Sequence, residues 1–441
     1  MTFNNKVRIS GNFLLGVEER SASVLVGVLW CMALVAVVVV GVLHTTRLHL
    51  MIGKNYTDKI QARYLALAGV EKAKALLYED AILRRGGARN HTGQLYDSPE
   101  DFREVSLGPG KFSVVRPGRI EEGGGMIFGV ADEESRLNIN QASPEELAKV
   151  NGLTPDTIAA IADWKDEDNN VSPSGAESEY YLSLRPPYLP RNGPFLTVRE
   201  LLMVRGVFPE LLFGEASSPN GLPVDPGLAD CFTVDGWTQN VNAEGTSRIN
   251  IQNADEGALT AVHGITREIA QAIVNSRGQK KLESLADLLD VTASQNRSGV
   301  RRTGNAANAA GPKVINEDLF LEIADSLSTD NTSEQRGLIN INTASAQILT
   351  WLPGLNPELA QAIVSYRSSN GFFSNIGWLL KVPGMSRDIF KQLSNRITAR
   401  SENFRITSEG TINSSGVRQR LEVIVHIGSR DVNTLAYRED L

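Results

Sequence analysis

Acidic side chains crowd one short stretch of this 441-residue chain, and five of them are the residues best suited to site chemistry. Asp163, Asp166 and Asp168 are closely spaced, and Glu177 and Glu179 follow a loop rich in Ser, Pro and Gly. Carboxylates at this density suit Ca²⁺, which takes about six to eight oxygen ligands and tolerates irregular loops. The spacing does not match an EF-hand loop. The residues alone leave two interpretations open, a calcium site and a solvated acidic surface.

Other kinds of site chemistry find no support in the sequence. The five histidines are scattered without zinc-ligand spacing, and the two cysteines, Cys31 and Cys231, are far apart. The chain contains no nucleophile elbow, no phosphate-binding loop and no dinucleotide fingerprint. We therefore expect a protein that is not an enzyme.

The acidic block follows the first copy of a repeated phrase. The phrase alternates apolar and polar residues, and its copies open at Arg136 (RLNINQAS), Arg248 (RINIQNA) and Gly337 (GLININTAS). In each copy a glycine follows the first Asn by 14 residues, and a helical run ending in similar apolar residues comes next. Internal repetition of this kind predicts one small structural module used three times.

Capping signals in the first copy predict a helix, a tight turn and a second helix. Ser143 before Pro144, with Glu146 three residues after the serine, is typical of a capping box. A glycine then stops the helix in every copy, at Gly152, Gly264 and Gly354, and a second cap follows at Thr154, Thr266 and Asn356. The pattern resembles the helix-hairpin-helix motif.

Helix-hairpin-helix motifs often bind nucleic acid through hairpin N–H groups, so a DNA receptor is one alternative. Residues 338–397 are similar to the DNA-receptor module of bacterial competence proteins. However, the second hairpin glycine of that family is absent, and the net charge of −7 is unfavourable for DNA binding. We therefore favour structural packing modules and expect no nucleic-acid partner. The competing surface would be a basic face of Arg367, Lys381, Arg387, Lys391, Arg396 and Arg400.

The N-terminal region predicts a membrane-spanning helix. Residues 24–43 are apolar and uncharged, and twenty helical residues span roughly 30 Å, the thickness of a bilayer core. One apolar face continues through an amphipathic segment to about Glu79. Such a helix resembles the start of type IV pilins and pseudopilins, whose prepilin peptidase would cut between Ala22 and Ser23. Ala22 replaces the usual Gly, and Gly27 stands at mature position five, where most pilins have Glu. An uncut signal anchor is the alternative.

The middle of the chain is similar to the minor pseudopilin K family of type II secretion systems. The matching segments are residues 132–140 (DEESRLNIN), 162–168 (ADWKDED), 175–181 (GAESEYY), 186–188 (PPY), 191–195 (RNGPF) and 200–206 (ELLMVRG). The resemblance implies a calcium site, with Asp163, Asp166, Asp168 and Glu177 as first choices for ligands. We expect Trp164 and Tyr181 to lie in the core.

The same resemblance implies a function based on assembly. A protein of this family joins other minor pseudopilins of the I, J and H types, and the major pseudopilin, at the tip of a pseudopilus that supports export of folded proteins. It would cross the bacterial inner membrane once, with its C-terminal bulk in the periplasm. A minor pilin of a type IV pilus is the remaining alternative.

These observations predict an α+β fold. A long N-terminal membrane helix precedes a small antiparallel sheet, which a large helical insertion of three helix-hairpin-helix-like modules interrupts. Alternating stretches from Phe404 and Arg420 close the sheet. The predicted segments are a leader (1–22), the N-terminal helix (23–80), the first part of the sheet (105–135), three modules (136–215, 216–330 and 331–402) and the second part of the sheet (403–441).

Overall fold

The computed structural model describes residues 18–86, 93–214, 227–293 and 312–439. The chain divides into two compact units, Met1–Gln61 and Ala62–Leu441. Helix α1 (Glu18–Arg85) begins in the first unit, and it is the one helix among the described residues that is long and apolar enough to cross a membrane. Its side chains from residue 24 to 43 are exposed. Most of the predicted leader lies outside the described residues, as do the side chains of Ala22 and Ser23.

The second unit contains short helices and strands in alternation. The helices are α2 (Pro99–Phe102), α3 (Pro144–Leu147), α4 (Pro155–Lys165), α5 (Ser178–Ser183), α6 (Pro209–Phe213), α7 (Glu256–Thr260), α8 (Arg267–Gln279), α9 (Glu317–Ile323), α10 (Ala346–Trp351), α11 (Pro357–Asn370) and α12 (Arg387–Leu393). The first ten strands are β1 (Val105–Leu107), β2 (Gly110–Pro117), β3 (Met126–Ile127), β4 (Ala131–Asp132), β5 (Leu137–Asn138), β6 (Phe232–Thr233), β7 (Trp237–Gln239), β8 (Ile249–Asn250), β9 (Leu327–Ser328) and β10 (Glu334–Arg336). The remaining strands are β11 (Ile339–Asn340), β12 (Ile397–Thr398), β13 (Asn403–Ile412), β14 (Arg418–Ile427) and β15 (Val432–Glu439).

One antiparallel sheet joins the two parts of the chain that flank the insertion. Its main path is β1-β2-β13-β14-β15, with β3 beside β2 and β4 beside β13. Buried residues alternate along β13, which is expected when one face of a strand covers a core. This buried face packs against the part of α1 that belongs to the second unit, where Ala66, Val70 and Ala73 meet Ile406 and Val423. The alternating stretches from Phe404 and Arg420 indicated β13 and β14. The sequence did not indicate β15 as a further strand.

The helix approaches the sheet closely because two glycines leave room for it. A Cβ atom on Gly69 would lie 2.2 Å from Ser408 Oγ, and one on Gly410 would lie 2.1 Å from the carbonyl oxygen of Ala62. These distances are far below van der Waals contact, so any side chain at these positions would push the helix and sheet apart.

Each module closes on itself through two short parallel strands. β5 pairs with β6, β8 with β9 and β11 with β12, so the repeated phrase forms the first strand of every module. The strand that closes the first module, β6, lies beyond residue 215, the predicted end of that module. The predicted α+β fold class and the helix-hairpin-helix character of the insertion are confirmed.

Candidate metal centre

The first module places α4 so that its last turn reaches the acidic block. Ser143 caps α3 through a capping box with Glu146, and the Thr154 side chain accepts a hydrogen bond from the Thr157 N–H at the start of α4. Gly152, between the two helices, has φ +90°, a left-handed conformation that glycine adopts without strain. The predicted hairpin is therefore present, and it directs the C-terminal end of α4 toward the following loop.

Three of the four predicted ligands come together. Asp163 lies in the last turn of α4, Asp166 follows that helix directly, and Glu177 precedes α5. One carboxylate oxygen from each lies within 4.8 Å of the others. Asp168, the fourth predicted ligand, is exposed and outside this group, and its Oδ1 accepts the Asn170 N–H at 2.7 Å. The loop turns one oxygen of this carboxylate onto its own backbone, and Asp168 as a ligand stays a prediction.

The three carboxylates have few hydrogen-bond donors. Asp163 accepts the Ser172 N–H at 3.2 and 3.3 Å, whereas Asp166 Oδ1 and both oxygens of the buried Glu177 have no hydrogen-bond partner among the described residues. The pKa of Asp166 is raised, mainly by burial and secondly by the negative charge of Asp168. The pKa of Glu177 is raised, mainly by burial and secondly by the negative charge of Asp166. The group therefore lacks positive charge, which a divalent cation would supply.

The surrounding backbone fits a cation held by these oxygens. A Cβ atom on Gly175 would lie 1.9 Å from Asp163 Oδ2, so only glycine allows the loop to close over this carboxylate. Hard carboxylate oxygens without nitrogen or sulfur ligands favour Ca²⁺ or a similar ion, with water and backbone oxygens completing its shell. When bound, the ion would offset most of the negative charge of the three carboxylates and tie the end of α4 to the start of α5. We did not predict from the sequence that the backbone at Ser172 and Gly175 lies against the Asp163 carboxylate. The Ser/Pro/Gly composition of the loop was a signal for it.

Aromatic side chains form the wall behind this centre. Trp164 and Tyr181 are almost fully buried, with ring centroids 5.2 Å apart in an edge-on arrangement. Phe195 stacks beside Trp164 at 6.3 Å. Their position in the core agrees with the sequence prediction, and it fixes the backbone on either side of the acidic loop.

The basic face of the third module is largely used for internal contacts. Arg396 pairs with Glu146, Lys391 with Asp287, Arg400 with Asp325 and Lys381 with Glu317. The Arg367 guanidinium is buried and donates to the carbonyl oxygen of Ile341 at 2.7 Å. These cations stabilise contacts within and between modules, so they are poorly placed to bind phosphates.

Comparisons with known proteins agree with the resemblance found in the sequence. Residues 132–213 match the family described as "Type II secretion system (T2SS), protein K", and residues 334–398 match a helix-hairpin-helix motif. The type II secretion system protein K of Pseudomonas aeruginosa is 24% identical over 335 residues, which cover 71% of this chain and 88% of that protein. The predicted resemblance to the K family is thereby confirmed.

Parts of the chain are also similar to proteins of other kinds. ComE operon protein 1 of Bacillus subtilis is 34% identical over 73 residues, 17% of this chain and 36% of that protein. Endonuclease/exonuclease/phosphatase family domain-containing protein 1 of Mus musculus is 30% identical over 161 residues, but only 28% of that protein is covered.

The solved GspK-GspI-GspJ complex of enterotoxigenic Escherichia coli contains a chain with TM-score 0.46 and 13% identity, covering 88% of this chain and 99% of that chain.

Proposed function

We propose that this protein is a minor pseudopilin of the K type in a type II secretion system and that it has no catalytic activity. The observation that carries the proposal is the match of residues 132–213 to the protein K family, since this segment includes the start of the insertion and the acidic centre. A long apolar helix whose later part packs on an antiparallel sheet supports the same conclusion.

Helix α1 would anchor the protein by a single pass through the bacterial inner membrane, with the C-terminal bulk in the periplasm. Prepilin peptidase would first remove residues 1–22 by cutting between Ala22 and Ser23. The uncharged stretch from residue 24 to 43 supports this arrangement, because it is long enough for a bilayer core.

The protein would occupy the tip of the pseudopilus with minor pseudopilins of the I, J and H types, above the major pseudopilin. Gly27 at mature position five lacks the carboxylate that most pilins are thought to use for pairing with a neighbouring subunit. A tip subunit carries a bulky insertion without blocking further subunits. From this position it would initiate the filament that supports export of folded proteins.

Co-purification tests this assembly. The full-length tagged chain is co-expressed with the I-type and J-type minor pseudopilins of the same host and extracted in mild detergent. We expect a complex that contains all three proteins. Recovery of the tagged chain without either partner, under conditions where the two partners still bind each other, would contradict the proposal.

We also propose that Asp163, Asp166 and Glu177 bind Ca²⁺. Their support is the short distance between ligand oxygens and the buried, unpartnered carboxylate of Glu177. Calcium that binds only the folded chain raises its stability by about 2.7 kcal/mol at a concentration of 100 times the dissociation constant.

A matched pair of variants tests the calcium proposal. Asp163→Asn should abolish the rise in melting temperature that Ca²⁺ produces, whereas Asp168→Asn should retain it, because Asp168 lies outside the group of ligand oxygens. Differential scanning fluorimetry with and without Ca²⁺ measures both. An equal loss of the calcium effect in the two variants would contradict the assignment of ligands.

A DNA receptor is the second candidate, favoured by the helix-hairpin-helix match and the similarity to ComE operon protein 1. Fluorescence anisotropy with a DNA duplex at physiological salt separates the two. We expect binding no tighter than the non-specific range of about 10⁻⁴ to 10⁻⁶ M.

A gene neighbourhood with a secretin and a secretion ATPase would distinguish a secretion system from a type IV pilus.

A further inference from the structure

The loop at residues 191–193 contacts two of the segments that carry the metal ligands. The Gly193 N–H donates to the carbonyl oxygen of Trp164 at 3.3 Å, immediately after Asp163. The Asn192 side chain reaches the acidic loop, where its Nδ2 donates to the carbonyl oxygen of Asp168 at 2.5 Å and to Asn169 Oδ1 at 3.1 Å. The loop at residues 191–193 therefore binds both the end of α4 and the acidic loop that follows it.

The same contact extends to the third ligand. Asn169 Oδ1 also accepts the Ser178 hydroxyl at 2.7 Å, and Ser178 directly follows Glu177. One amide oxygen thus connects the Asn192 side chain to the start of α5. Asn192, Asn169 and Ser178 form a chain of hydrogen bonds, named the latch below, that spans the opening of the acidic loop.

The loop that carries Asn192 is itself fixed to the core. The buried Glu200 accepts hydrogen bonds from Arg191 Nε, from Trp164 Nε1 at 3.3 Å and from the Leu196 N–H at 3.0 Å. These contacts flank Asn192 on both sides. The latch therefore holds the acidic loop in place relative to this part of the core.

The backbone at position 192 limits which residues can serve there. Asn192 has φ +47°, in the left-handed region where Asn, Asp and Gly are the residues most readily accommodated. Its Nδ2 faces two oxygen acceptors, and its Oδ1 has no hydrogen-bond partner among the described residues. The donor end of the amide is thus the end that engages the acidic loop.

We infer that Asn192 is a positioning residue of the metal centre, an inference that rests on the proposed calcium binding. Without an ion, three carboxylates close together repel one another and favour an open loop. The latch opposes this opening and keeps Asp166 near Glu177 before the ion arrives. Residues that orient metal ligands in this way typically change metal affinity by about 10- to 100-fold when they are replaced.

Terbium luminescence tests the inference on the full-length chain in detergent. Tb³⁺ replaces Ca²⁺ at oxygen sites, and Trp164, next to Asp163, can sensitise its emission. Calcium affinity follows from displacement of Tb³⁺. We expect Asn192→Gly, which retains the left-handed backbone, and Ser178→Ala each to weaken calcium binding by about 10-fold or more. Asn170→Ala is the matched control in the same loop, because its exposed side chain has no hydrogen bond to another described residue, and it should bind like the wild type.

The double variant tests whether Asn192 and Ser178 act through the same contact. Since Asn192 and Ser178 both act through Asn169, combining the two substitutions should weaken binding by less than the product of the single effects. Independent, multiplicative effects would overturn the latch, as would wild-type affinity in both single variants. Melting temperatures in EDTA report whether each variant is folded before metal is added. No Tb³⁺ or Ca²⁺ binding by the wild-type chain would overturn the calcium proposal and the latch together, whereas wild-type binding that is lost only in Asp163→Asn would overturn the latch alone.

Discussion

At the scale of single residues, the repeated phrase supplies one polar side chain that holds a distant loop. Asn140 bonds the backbone of Phe195 through its Nδ2 at 3.0 Å and its Oδ1 at 2.8 Å. Asn342 makes the same pair of bonds to Phe373, at 3.0 and 2.7 Å. Satisfying buried backbone groups in this way stabilises the module, because an unpaired buried N–H or C=O costs about 1–3 kcal/mol.

A buried acidic residue at the junction between sheet and insertion predicts a dependence of stability on pH. Burial, followed by the charge of Asp132, raises the pKa of Glu134 well above its ordinary value. Asn403 Nδ2 donates to Glu134 Oε1 at 2.5 Å, and Asn403 Oδ1 lies 3.0 Å from Nδ1 of His426. The Glu134 contribution to stability is therefore fully present below the unfolded-state pKa of about 4.3 and is lost as the pH rises toward the folded-state pKa.

Glu134→Gln tests this expectation, because glutamine resembles the protonated side chain. The variant should equal the wild type near pH 4 and become more stable than it at higher pH, by about 1.4 kcal/mol for each unit by which the pKa is raised. Urea unfolding between pH 4 and pH 8 measures the difference. Burial also lowers the pKa of His426 to about 4 and raises the pKa of Asp132, and both of these groups are present in the two proteins. A difference that does not change with pH would contradict the account.

The sequence predicts the local part of the metal centre and not the distant part. Asp163, Asp166 and Glu177 could be named because carboxylate density is visible along the chain. The sequence also named Asp168, whose exposed carboxylate lies outside the group of three, since spacing does not reveal which way a loop carboxylate turns. Asn192 could not be found, because it acts from a loop 24 residues beyond Asp168 and belongs to no repeated pattern.

At the scale of elements, the close approach of α1 and β13 depends on small residues. Gly410→Ala should destabilise the second unit by about 1–3 kcal/mol, since the new Cβ would lie 2.1 Å from the Ala62 carbonyl oxygen and 2.5 Å from the Ala66 nitrogen. The melting temperature in detergent reports the change. Gly278→Ala is the control, because no atom of the described residues lies within 4 Å of its Cβ position in α8, and it should stabilise by about 0.5–1 kcal/mol. Equal effects of the two substitutions would contradict this packing.

Helix ends were predictable, whereas the closing strands of the modules were not. Thr154, Thr266 and Asn356 cap α4, α8 and α11 through side-chain oxygens, as their positions after the hairpin glycines indicated. Capping depends on residues three or four positions apart and is therefore readable locally. The pairing of β5 with β6 joins residues almost a hundred positions apart, and two-residue strands carry no periodicity to reveal it.

At the scale of the whole chain, the order of segments predicted the α+β fold. A long apolar helix, strand-like stretches on both sides of a repeated helical region, and a C-terminal hairpin together imply a sheet interrupted by an insertion. Asp132 marks the point where they join, because it accepts hydrogen bonds from Asn340 Nδ2 at 2.8 Å and Ser401 Oγ at 2.7 Å, at the two ends of the third module. This docking contact connects residues more than two hundred positions apart and has no local signal.

The most direct test of the proposed pseudopilin function is the mass and N-terminal sequence of the full-length protein, expressed with and without prepilin peptidase. We predict an intact N-terminus without the peptidase and a chain beginning at Ser23 with it, shorter by the 22 residues of the leader. Ala22 in place of the usual Gly could slow cleavage, so the time course is followed to completion. An intact N-terminus in both cultures, with a control pseudopilin fully processed in the second, would contradict the pseudopilin account.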